Sequence, residues 1–176
     1  MKEDSGGSYC VDANVFIASW SKMYPPHVFP SLWEQIARHR KDIVLIEPVY
    51  DEIDPISKSD EKRWSSDSGL RKQHPLRAWL INNQFSPAPV DDQVERLALD
   101  LERKYEIKNE SEGVDEVDLK VVAYAKKMDK KIITFENDQP NIPKKKYKYK
   151  IPLVCKAEGV GCTPFVDMLK DLNIRI

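Results

Sequence analysis

The chain has 176 residues, is 41% hydrophobic and 32% charged, and its signs nearly cancel to a formal charge of −1. That length suits one domain with a single core. The near-neutral balance excludes a molecule that gathers nucleic acid over its whole surface, so any basic surface is local. The apolar runs are far too short to span a membrane, and the polar start Met1-Lys2-Glu3-Asp4-Ser5-Gly6-Gly7-Ser8 has no apolar signal segment. Both features point to the cytosol. Cys10, Cys155 and Cys162 are odd in number and lack paired spacing, so they read as reduced, packed thiols and not as a disulfide or zinc framework.

In chain order, residues 1–7 read as a flexible leader. Tyr9-Cys10-Val11 is a short strand ending at Asp12-Ala13-Asn14, and Val15-Phe16-Ile17-Ala18 starts a helix. Phe29, Leu32, Trp33, Ile36 and Ala37 recur at helical spacing, with Pro30 suited to the first helical position. The run Ile43-Val44-Leu45-Ile46 is continuous and β-branched, as in a buried parallel strand. Pro48 then opens a short helix carrying Val49, Glu52, Ile53 and Ile56. Residues 57–90 are interrupted by charge, Ser and Pro, and predict an inserted or capping region with short helices near Trp64 and Trp79.

Val94, Leu97, Ala98, Leu101 and Tyr105 form one apolar helical stripe. The helix expected over 115–128 is apolar through its middle, hence buried. Lys131-Ile132-Ile133-Thr134 is another buried strand, and a lysine-rich loop leads on to Ile151-Pro152. A short strand is expected around Val160-Gly161-Cys162, then a helix with Phe165, Met168, Leu169 and Leu172, and a last edge strand at Ile174-Arg175-Ile176. Strands alternating with helices predict an α/β fold: one domain over 1–176, with a central, mostly parallel sheet flanked by helices on both faces.

In such sheets ligands bind outside the carboxyl ends of the strands, so the residues just past each strand are the candidates for a site. Asp12 ends the first strand, Glu52 lies shortly after the second, and Glu136 lies just after the third. Asp118 stands in the first turns of the helix that precedes the third strand. Four carboxylates at one sheet edge repel each other unless a cation neutralises them. Mg²⁺ or Mn²⁺, hard ions that take oxygen ligands, suit that task, and such a site can activate water against a phosphodiester.

Each acid also has a plainer reading. Asp12 can serve only as a helix N-cap, and Glu52 as a solvated helix residue. Asp118 belongs with Glu112, Asp115 and Glu116 to a cluster that a helix dipole favours. Glu136 and Asp138 suit a polar loop. The shared placement of the four is what these readings leave unexplained.

At these residues the chain resembles a known family. Tyr9-Cys10-Val11-Asp12-Ala13-Asn14-Val15-Phe16-Ile17 resembles the opening of PIN domains, where a strand delivers the first metal-binding Asp and a small polar residue stands two places on. Val49-Tyr50-Asp51-Glu52-Ile53 resembles their second acidic motif. Asp118-Leu119-Lys120-Val121-Val122-Ala123-Tyr124-Ala125 resembles the third, and Ile132-Ile133-Thr134-Phe135-Glu136 the fourth. Phe29-Pro30-Ser31-Leu32-Trp33-Glu34 and Lys150-Ile151-Pro152-Leu153-Val154-Cys155 are most similar to a bacterial PIN-like branch without assigned function.

The resemblance implies a Mg²⁺- or Mn²⁺-dependent ribonuclease of the toxin class, often dimeric and restrained by an antitoxin partner. It departs in two places. The fourth acid of the family is commonly Asp, so Asp138 competes with Glu136 for that role, and Asp115 and Glu116 stand close to Asp118.

Asn14 and Thr134 are candidates to orient water or a carboxylate, against ordinary roles at a helix start and a strand end. Lys144, Lys145, Lys146 and Lys148 alternate with Tyr147 and Tyr149 close after Glu136, a pattern that suits an RNA backbone and its bases. The plainer reading is a solvated loop. Trp20, Trp33, Trp64 and Trp79 read as core or interface, and His27, His39 and His74 lack ligand spacing. Two rivals remain. A haloacid-dehalogenase-type phosphatase also has an Asp after its first strand, but needs a second Asp where Asn14 stands. The other is a PIN-like RNA- or protein-binding module without turnover.

Overall fold

The computed structural model describes residues 8–53, 75–107 and 113–175. Four strands form one all-parallel sheet: β1 (Tyr9–Val11), β2 (Ile43–Val44), β3 (Lys131–Thr134) and β4 (Cys162–Pro164), in the spatial order β2-β1-β3-β4. Helices α1 (Ala13–Ala18), α2 (Pro30–Arg38), α3 (Glu47–Glu52) and α4 (Pro75–Asn82) precede α5 (Asp92–Lys104), α6 (Glu116–Met128), α7 (Ile151–Glu158) and α8 (Phe165–Asp171). This is the α/β fold expected, with helices around a central sheet. Among the described residues, no helix is long and apolar enough to cross a membrane.

β1 is buried at every position, as a central strand covered on both faces must be. It pairs with β2 on one side, Cys10 opposite Val44, and with β3 on the other, Val11 opposite Ile133. The apolar run after Ile43 divides its pairing. Ile43 and Val44 join β1, whereas Leu45 and Ile46 turn to Ala88, with Ala88 N–H donating to Leu45 O at 2.8 Å. That segment covers the β2 edge, which would otherwise stay open to other strands. β4, on the opposite edge, ends in Pro164, a residue that an edge strand tolerates because it has no N–H to give.

Local chemistry sets the helix ends. Pro30 opens α2, and Asp91 caps α5 by accepting from Gln93 N and Val94 N at 3.1 and 3.0 Å. Asp115 caps α6, and its side chain and that of Asp118 exchange bonds with each other's backbone N–H. Gly159 closes α7 at φ 69°, where a Cβ would be strained.

α7 is an addition to the expectation, which led a lysine-rich loop up to Ile151-Pro152 and assigned no element from there to Val160. The strand expected at Val160 lies two residues later, at Cys162–Pro164. Ile174 and Arg175 do not form an edge strand. Ile174 is buried, and Gln35 instead binds both the N–H and the O of Arg175. The helix expected near Trp79 is α4, while Trp64, His74, Glu112 and Ile176 lie outside the described residues. Trp20, Trp33 and Trp79 pack with Phe16 and Phe85 as one aromatic cluster of the core. Cys10 and Cys155 are buried free thiols, and Cys162 is a half-buried one.

One ion cluster joins three helices. Glu158, the last residue of α7, has a side chain only 4% exposed. Its carboxylate accepts from Lys104 Nζ at 2.5 Å, Tyr105 OH at 2.6 Å and Lys126 Nζ at 2.8 Å. Burial pushes this carboxyl up, but the three hydrogen bonds prevail and hold it at about 2.

Candidate active site

The strand order reverses between β1 and β3, because the chain leaves β1 toward β2 and leaves β3 toward β4. At such a switch point the carboxyl ends of adjacent strands leave a crevice. Asp12 comes directly after β1 and Thr134 ends β3, so the two lie side by side, with Asp12 N–H donating to Ile133 O at 3.1 Å. The Thr134 hydroxyl donates to Asp12 Oδ2 at 3.3 Å and accepts from Glu136 N–H at 3.1 Å. One buried hydroxyl therefore orients both the first acid and the turn that carries the fourth.

Asp12 does cap α1, accepting from Asn14 N–H at 3.3 Å. Its plain role and its placement in the crevice coexist. Asn14 itself is exposed. Asp12 is 4% exposed, and burial, reinforced by the charges of Glu136 and Asp115, pushes its carboxyl up to about 6 against the bonds from Asn14 and Thr134. Glu52, at the end of α3, is exposed as a residue, yet partial burial of its carboxyl and the charges of Asp115 and Asp12 push it to about 7. Asp118 rises furthest, to about 8, through burial first and then Asp115, Asp12 and Glu136. The charges of Asp12 and Glu136 thus reach Asp118, that of Glu136 reaches Asp12, and that of Asp12 reaches Glu52.

Glu136, not Asp138, is the acid after β3 that acts on Asp12 and Asp118. Asp138 is exposed, and its charge is felt at Cys162 instead. Like Asp12, two more of the acids are tied to backbone donors. Asp118 Oδ2 accepts from Asp115 N–H at 3.0 Å, and Glu136 Oε2 accepts from Ile151 N–H at 2.6 Å. Among the described residues no group of three or more His, Cys, Asp or Glu side chains is gathered to hold a metal ion. The donor set itself suits a hard divalent cation, since all its ligand atoms are carboxylate oxygens.

The lysine run precedes Ile151, whose N–H binds Glu136. Lys144, Lys145 and Lys146 are exposed, Lys146–Lys148 forms a 3₁₀ turn, and Lys148 is half-buried. The Lys145 and Lys148 ammonium groups stand 5.4 and 5.9 Å from the Tyr147 ring centroid. The Gln139 amide clasps the run, donating to Lys148 O at 3.0 Å and accepting from Lys150 N–H at 2.7 Å. Val114 N–H donates to Tyr149 O at 2.9 Å, just before the α6 cap.

Gly113 permits this approach, and no motif in the sequence marks it. A Cβ there would lie 2.2 Å from Tyr147 O and 2.8 Å from Tyr149 O, both backbone atoms. Gly113→Ala is therefore expected to destabilise the protein by about 1–3 kcal/mol, the usual range for forced overpacking. Urea unfolding would check it. A loss below roughly 0.5 kcal/mol, as for a neutral surface change, would mean that the loop shifts freely.

The fold defines a class: a parallel α/β domain with acidic residues beside its switch point. The chain belongs to the family described as a domain of unknown function, DUF4411, whose model matches residues 9–176. No curated protein matches it.

Proposed function

We propose that the protein is a metal-dependent endoribonuclease of the PIN-like kind, the toxin of a bacterial toxin–antitoxin pair. The observation that carries this reading is the placement of Asp12 and Glu136 beside one another, past the carboxyl ends of adjacent parallel strands and bridged by the Thr134 hydroxyl, with their charges felt at Asp118. A Mg²⁺ or Mn²⁺ ion held by these acids would neutralise their repulsion, acidify a water and offset charge on a phosphodiester. Asp12 and Thr134 give the crevice a fixed wall. An antitoxin partner, a homodimer and a cytoplasmic setting accompany this reading.

A second reading, a binding module without turnover, is favoured by the bonds from Asn14, Asp115 and Ile151 N–H, which occupy three of the four carboxyls. Purified protein incubated with structured RNAs decides between them. Cleavage that requires Mn²⁺ and stops with chelator supports the nuclease, whereas RNA binding without cleavage supports the module.

The lysine run would hold the RNA backbone beside the acids. Replacing Lys144, Lys145 and Lys146 together with Ala is expected to weaken single-stranded RNA binding for all sequences. It should also reduce the slope of log affinity against log salt by about 0.7 per lost phosphate contact. Preference for the cut site should hardly change, because phosphate contacts position a strand without reading bases. Titration of a labelled RNA at several salt concentrations checks this, and an unchanged slope and affinity would leave the run as a solvated loop.

A further inference from the structure

A cleft of about 600 Å³ opens beside Glu136, between the carboxyl ends of β3 and β4. Its size falls within the range of roughly 300–1,000 Å³ common for small-molecule sites. One wall is aromatic: the half-buried rings of Phe135 and Tyr24 line it, packed on the buried Phe165 at 5.7 and 6.0 Å between ring centroids. Val166, 45% exposed, lines the same cleft. Asn137 and Lys156 bring polar groups to it, and Thr134 and Glu136 are shared with the acid crevice.

We propose that this cleft is a nucleobase subsite, taking one base of the RNA strand next to the scissile phosphate. The base packs on the aromatic wall, the Asn137 amide meets its polar edge, and Lys156 meets the adjoining phosphate. Single-stranded RNA is recognised in this manner, by stacking on rings and by hydrogen bonds to base edges. An apolar protein segment in the cleft would instead leave Asn137, Asp138 and Lys156 against groups that cannot bond them, which is unfavourable. The position next to the cut rests on the nuclease reading. The affinity for a base does not.

The test titrates the full-length protein with the four ribonucleoside 5′-monophosphates and with ribose 5-phosphate, followed by nuclear magnetic resonance shifts. At least one nucleotide should bind about tenfold more tightly than the base-free sugar, the scale of one stacked base. Val166→Glu, an acid in the first turn of α8 that a helix start favours, should remove that difference. Asp118→Asn should keep it. Equal binding of nucleotide and ribose 5-phosphate, or no binding at millimolar concentration, overturns the subsite. Base-dependent binding by a protein that cuts no RNA would retain the subsite and reject the nuclease. Mn²⁺-dependent cutting with identical base preference in wild type and Val166→Glu would do the reverse.

Discussion

Asp118→Asn and Asp12→Asn are each expected to lower Mn²⁺-dependent RNA cleavage by about a thousandfold, the upper scale for removing one preorganised electrostatic stabiliser. The fold should survive both changes for a reason visible in the local bonding. Asn retains an amide oxygen, so position 118 can still accept from Asp115 N–H and position 12 from Asn14 N–H. Asn also caps helices about as well as Asp. What is lost is a negative charge from a crevice where burial and neighbouring acids already oppose charge. Stability without metal should therefore stay level or rise, while the capacity to hold a divalent cation falls. Cleavage rates and urea midpoints measured side by side check this. Wild-type turnover in both variants would place the chemistry elsewhere.

The second large effect concerns pH. Asp12, Glu52 and Asp118 are held at about 6, 7 and 8 in the folded chain, against about 3.9 for Asp and 4.3 for Glu when unfolded. The native state thus binds more protons than the unfolded state between these limits, so stability falls as pH rises. The contribution is fully present below the unfolded values and is lost as pH climbs through about 6 to 8. Without divalent ions, Tm should be higher at pH 5.5 than at pH 8.5. Mn²⁺ should raise Tm more at pH 8.5, because protons no longer compete for the same oxygens. Asp118→Asn should flatten both responses. Scanning calorimetry across this window checks the sign, and a Tm that is level in wild type would refute the raised carboxyls.

Much of the sheet was legible because a strand buried on both faces must be apolar throughout. Tyr9-Cys10-Val11 and Ile132-Ile133 could hardly be anything else once flanked by helical patterns. The placement of Asp12 and Glu136 was legible for the same reason, since parallel strands deliver their carboxyl ends to one side. The choice between Glu136 and Asp138 was not, because it depends on a turn fixed by Thr134 Oγ1 and Ile151 N–H. Helix α7 was hidden by the lysine run before it, although Pro152 and Gly159 are ordinary start and stop signals. The edge strand expected near Ile174 failed because its apolar side chain sinks into the core while Gln35 takes the neighbouring backbone. Gly113 carried no local signal, since its role depends on carbonyls more than thirty residues away.

Glu158 sets how the crevice can move. Helices α6 and α7 each touch the acids with their first turn, one through the Asp115–Asp118 exchange and the other through Ile151 N–H on Glu136. The last turns of both meet at Glu158, where Lys126 of α6 binds the terminal carboxylate of α7. Each helix is thus a short rod clamped at both ends, with Lys104 and Tyr105 adding a third attachment. Sliding or tilting either rod strains a clamp. The compliant coordinates left at the crevice are side-chain torsions, so whatever enters there is met by rotating carboxylates on a stiff frame.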